Sequence, residues 1–194
     1  MHDTPEQVTR RRIADGLRAH FEAMLEQRID RHIEISHHPI TPNHHFTKPS
    51  NECIDLYTDG HFFSTVMVTQ AVAEGIRRFV VERNGIKWDD GMKGPEIAEL
   101  LVNRGIISRE CADASNRIWN SFRNDVHHMN PKVAEIPEKI SFSELAKRNI
   151  QDLAIIEKEV FAVKLSTGCF IPVHTQYWDI EPDGMCSAFL RCGP

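Results

Sequence analysis

An all-α fold is what this sequence predicts, and three features predict it. Apolar residues recur at helical spacing through most of the chain. Helix-starting and helix-ending residues punctuate those stretches. Strand-like alternation is confined to the region after residue 160. With 194 residues the chain is long enough for one domain with its own core and a short appendage. The expected architecture is a bundle of four to five helices with a short irregular or β tail. Residues 1–50 would hold a long helix and a Pro/His-rich loop, 51–163 the helical core, and 164–194 the tail.

The first helix is expected over residues 5 to about 34. Pro5 suits a first-turn position, and Ile13, Leu17, Phe21, Leu25, Ile29 and Ile33 form a stripe at spacing four. The other side is rich in Arg and Glu, a solvated or partner-facing surface; Arg10–Arg12 reads as a charged helix start or a phosphate-attracting patch. A loop with three prolines follows, holding His37, His38, His44 and His45. Their spacing matches no recognised metal-ligand set, so a solvated histidine-rich loop is expected.

From Glu52 a helical pattern resumes, pauses at Asp59-Gly60, and ends at Arg83-Asn84-Gly85. Its middle, Phe62 to Ala73, is apolar on most sides and reads as the central buried helix. Glu74 either pairs locally with Arg77 or Arg78 or orients Arg123 across the core. Asn84 to Gly94, with Trp88-Asp-Asp-Gly, reads as a surface turn. Pro95 opens a short helix ended by Asn103-Arg104-Gly105, Ser108 caps the next, and Ser141 with Glu144 forms a capping box for a helix reaching about Val163. Phe161 to Leu165 and Cys169 to Val173 alternate as a small hairpin, with Pro172 confining the second strand to an edge. Tyr177, Trp178, Phe189 and Leu190 are apolar anchors in a polar tail.

The helix after Ser108 is expected to run unbroken to Asn130, where Pro131 forces a stop. Ala114, Ile118, Phe122 and Val126 give it a core face. Its last two turns hold Arg123, Asn124, His127 and His128, a combination suited to phosphate chemistry. A guanidinium can clamp an anionic oxygen, and an imidazole can move protons near neutral pH. The helix C-terminus would raise a histidine pKa if nothing else intervened, favouring a general acid. The same residues also describe a cation-rich, solvated C-terminal turn. On a straight helix Arg123 and His127 share a side, while His128 points roughly 140° away.

The segment Arg123-Asn124-Asp125-Val126-His127-His128 resembles the Arg-x4–6-His signature of HEPN domains, in which a polar residue directly follows the arginine. His128 matches that spacing; His127 leaves only three intervening residues. Leu56-Tyr57 through Glu74 resembles the corresponding helix of the same family, and the likeness spans roughly Cys53 to Val163. It implies a HEPN-like bundle, a homodimer, and metal-independent RNA cleavage at a site shared by two subunits, of the toxin or phage-defence type. Arg123 would stabilise the transition state, His128 would transfer a proton with His127 second in line, and Asn124 would orient the phosphate or imidazole. RNA and an antitoxin or companion protein are the implied partners. The same family includes non-catalytic RNA-binding and assembly modules, the alternative reading.

The remaining composition narrows the choice. Net charge is −5, whereas a sequence-independent nucleic-acid coat would carry a basic excess. Any RNA contact is therefore expected to be local. Five scattered cysteines without a C-x-x-C pair fit reduced thiols, and Cys111 reads as buried or inert. Without a signal-like start or a membrane-length apolar run, a cytoplasmic protein is expected. No phosphate loop, dinucleotide fingerprint, nucleophile elbow or zinc helix occurs, and no cofactor or metal is expected.

Overall fold

The computed structural model describes residues 4–87, 91–166 and 169–191. The turn expected at Trp88 and the tip of the expected hairpin at Thr167 and Gly168 lie outside these residues. The described residues are predominantly helical, as expected for an all-α chain. Eight α-helical segments are present among them: α1 (Pro5–Glu34), α2 (Thr47–Thr58), α3 (Phe62–Arg83), α4 (Gly94–Asn103), α5 (Arg109–Trp119), α6 (Arg123–His127), α7 (Ile136–Lys139) and α8 (Phe142–Val160). Strands are short: β1 (Ile40–Pro42), β2 (Val163–Ser166), β3 (Cys169–Pro172) and β4 (Ala188–Leu190).

Local chemistry sets most of these boundaries. Thr4 and Gln7 close a reciprocal capping box on α1, with Pro5 in its first turn. Ser108 accepts from the Cys111 amide at the start of α5, and Ser141 from the Glu144 amide at the start of α8. Gly60, Gly85 and Gly105, with φ of +84°, +63° and +67°, take the left-handed conformation that ends the preceding helices. The helix α2 begins earlier than expected, at Thr47. Pro49 stands in its first turn, where the missing N–H would have had no helical partner anyway.

The central helix is α3, packed against α2 and α8, with α5 lying on α8 and also touching α3. One apolar cluster gathers Phe46, Phe79, Leu101, Ile118, Phe161 and Trp178; a second holds Tyr57, Val66, Val126, Ile136 and Ile150. The histidine loop is packed into the body rather than solvated. Ile40, Thr41 and Phe46 are buried, and His44 lies 4.5 Å from the Phe79 ring, because β1 pairs with β4 from the opposite end of the chain, Ile40 against Leu190. The expected hairpin forms as antiparallel β2–β3. Beside β4, Arg191 reaches inward and donates to Glu157 at 2.5 and 2.8 Å and to Ser50 at 2.5 Å; both charged side chains are almost wholly buried. The tail is thus tied into the core.

By contrast, α1 buries none of its residues. Its C-terminal end is tied to the body by polar contacts, Arg28 to Asp59, Arg31 to the Thr58 carbonyl, and Glu34 to Tyr57 and Lys147. Its apolar stripe stands in solvent, with Leu17 at 66 % and Phe21 at 49 % exposure. Among the described residues no helix is long and apolar enough to cross a membrane.

Candidate functional site

The expected motif helix is not continuous. After Trp119 the chain leaves the helix, Phe122 takes the left-handed conformation (φ 57°, ψ 29°), and α6 begins at Arg123. The cause lies beneath the break. Gln70 of α3 donates to the Ser121 carbonyl at 2.8 Å and to its hydroxyl at 2.7 Å, and Asn149 of α8 donates to that hydroxyl at 3.2 Å. These buried bonds satisfy Ser121 outside a helix, and a buried polar group must be satisfied somewhere. Val126, wholly buried, then pins α6 so that Arg123 and His127 face outward one turn apart. The helix ends at His127, short of the expected stop at Asn130; Met129 takes φ 47°, and Asn130 instead caps a short 3-10 helix opened by Pro131.

Arg123 is held on two sides. It donates to the Glu74 carboxylate of α3, and its guanidinium carbon lies 4.2 Å from the centre of the Trp119 ring. Both readings of Glu74 are realised, because its other oxygen accepts from Arg78 at 2.8 and 3.2 Å. A second arginine, Arg77, lies 5.0 Å from the same Trp119 ring. Arg77 is buried, donates to Ser115 at 3.3 Å, and has one terminal nitrogen with no hydrogen-bond partner. Burial pulls its pKa down to about 10. Gly94 closes the far side: a Cβ there would come within 2.1 Å of Arg77 Nη1 and 2.6 Å of the Trp119 ring.

His127 has its pKa lowered, first by burial and then by the charge of Arg123. The direction is opposite to the one that a helix C-terminus alone would give. His127 is therefore biased towards the neutral imidazole, the form of a general base. Asn124 and His128 are both exposed on the same short segment, with His128 just past the end of α6.

The sequence reading therefore has its four residues on one short, anchored segment, with Arg123 and His127 coupled most closely. It missed Arg77, Trp119, Gln70 and Gly94. The available signal was Gln70 and Arg77 within the apolar run of α3 and Gly94 at the start of α4; Trp119 carried none. Behind the break, Asn120, Ser121, Arg117, Lys139 and Arg148 line a groove of about 460 Å³, where Arg117 is paired to Asp152 at 2.7 Å. Cys111 is buried and its thiol is pushed up to about 12, which makes it inert as a nucleophile. Among the described residues no three His, Cys, Asp or Glu side chains gather into a metal-binding set. No family model, no curated protein and no solved structure matches this chain.

Proposed function

We propose that this chain is an endoribonuclease of the HEPN type that cleaves RNA without a metal ion, acting as a homodimeric toxin or phage-defence protein in the cytoplasm. One observation carries the reading. Arg123 is gripped by Glu74 and Trp119 beside a histidine whose pKa is held below the ordinary imidazole value. A pre-oriented guanidinium acts where charge develops on a phosphorane-like transition state and costs no reorganisation at that moment. A neutral imidazole one turn away accepts the proton of the ribose 2′-OH as O2′ attacks phosphorus. The P–O5′ bond then breaks, the leaving oxygen takes up a proton, and a 2′,3′-cyclic phosphate and a 5′-OH remain. In this scheme His127 is the base and His128, carried over from the family spacing, delivers the second proton. Asn124 orients the phosphate. A second subunit completes the site, and an antitoxin or companion protein controls it.

The test is cleavage of end-labelled RNA in EDTA by wild type and by Arg123→Ala, His127→Ala and His128→Ala. Loss in all three variants, with cyclic-phosphate ends from wild type, supports the scheme. Retention in His127→Ala with loss in His128→Ala returns the base role to His128. A non-catalytic RNA-binding or assembly module is the competing reading, favoured by the net charge of −5. It is the conclusion if wild type binds RNA but leaves it whole.

A further inference from the structure

The arm α1 carries its own message, independent of the ribonuclease reading. Seven large apolar side chains project from it into solvent, and Phe21, at its middle, is 49 % exposed. A helix of this kind gains little from its own chain, since helical stability in water comes chiefly from packing an apolar face. The order of the stripe is informative. Ile13, Leu17, Phe21, Leu25 and Ile29 form a palindrome of residue types about Phe21. A two-fold contact between identical helices has that form: Phe21 meets its own copy, flanked by Leu17 of one helix beside Leu25 of the other.

Charge follows the same symmetry. Residues 5–19 carry four arginines against two carboxylates, and residues 20–34 carry four carboxylates against two arginines. Antiparallel crossing sets the basic half of one copy on the same side as the acidic half of the other. Parallel pairing would set like against like. Residues four apart form a ridge inclined about 26° to the helix axis, and two such ridges interlock when the helices cross at about 50°. The contact is therefore centred on Phe21 and thins towards the ends.

We propose that α1 is a homodimerisation arm whose occupant is the α1 helix of a second copy, crossed antiparallel about a two-fold axis at Phe21. The contact does not require the two Arg123 segments to meet. The full chain should be dimeric by size-exclusion chromatography with light scattering. Phe21→Glu should raise the dimer Kd about thirtyfold or more, as loss of a central aromatic anchor does. Near-UV circular dichroism of the body, from Trp119 and Trp178, should be unchanged, since Phe21 touches no core. A residue on the axis meets itself, so Phe21→Cys should form a disulfide-linked dimer on mild oxidation, beyond the wild-type background from native cysteines. Leu17→Cys alone should link poorly, and should link well when mixed with Leu25→Cys. A monomeric wild type, a dimer indifferent to Phe21→Glu, or Phe21→Cys linking no better than wild type overturns the proposal. A monomer that sediments with anionic vesicles only while Phe21 is intact also overturns it, and assigns the ridge to a lipid surface.

Discussion

The helices α1 and α3 are both long and rich in apolar residues, yet α1 buries none of its 30 residues and α3 buries eleven of 22. The difference lies in how the apolar residues are arranged. On α1 they recur at spacing four, each step turning about 40° beyond a full rotation. From Ile13 to Ile33 the stripe sweeps roughly 200°, so no single side of the helix is apolar along its length. On α3 apolar and small residues fill several sides at once, and the polar ones among them are bonded. Thr69 bonds the Thr65 carbonyl at 2.8 Å, Gln70 bonds Ser121, and Arg77 bonds Ser115. Apolar content alone does not make a core helix; neighbours on every side do.

The sharpest way to break this contrast is to attack the body where charge is buried. Arg191→Met leaves the Glu157 carboxylate buried and without its cation, and should destabilise the body by about 3–5 kcal/mol. Replacing both partners, as Arg191→Met with Glu157→Met, should recover most of that loss, because an apolar pair of similar volume needs no desolvation. Urea unfolding of the single and double variants reads the difference. A single variant as stable as wild type would mean that the tail is not held by this pair.

A smaller effect separates the two helices directly. Ile76→Ala in α3, where the side chain is 1 % exposed, should cost about 2–4 kcal/mol from lost burial and the cavity left behind. Leu17→Ala in α1 should change the unfolding free energy of the monomer by less than about 0.5 kcal/mol. Equal losses would place the arm inside the cooperative body.

The pH dependence should also belong to the body. His37, His38, His44 and His127 all have pKa values lowered from 6.5, each chiefly by burial, and none lies on α1. The unfolded chain takes up these protons as pH falls through about 6.5, and the folded chain only at lower pH. Between those limits the unfolded state binds more protons, so stability is full above 6.5 and is lost as pH falls through the lowered values. The melting temperature should drop between pH 7.5 and 5.5. His44→Phe, which removes one half-buried imidazole tilted against Phe79, should flatten the slope. An unchanged slope would remove His44 from the account.

What was legible in the sequence divides along the same line. Thr4 and Pro5, Ser108, Ser141, the glycine stops and Asn130-Pro131 are local devices, each acting within a few residues, and each marks an element boundary in the structure. The break before Arg123 was not legible, because Gln70 lies 51 residues away and Asn149 lies 28 residues away from the Ser121 they bond. With a straight helix expected, Phe122 belongs to its core face and nothing marks Trp119 as the plate beneath Arg123. The strand β1 was hidden likewise, since its partner β4 lies at the opposite end of the chain. The stripe on α1 is visible in the sequence, and its winding about the helix decides its fate.

The smallest effect is the most specific to the arm. Gly16 sits inside α1 with nothing within 4 Å of its Cβ direction, so Gly16→Ala meets no clash in the monomer. Alanine restricts the unfolded backbone and should strengthen the arm locally by roughly 0.5–1 kcal/mol. Because the arm is joined to the body only near its end, that gain should appear as slower amide exchange across residues around Gly16, by about threefold, and not as a higher melting temperature. A melting temperature raised by several degrees would mean that the whole of α1 unfolds with α3, and the contrast between the free helix and the buried one would fail.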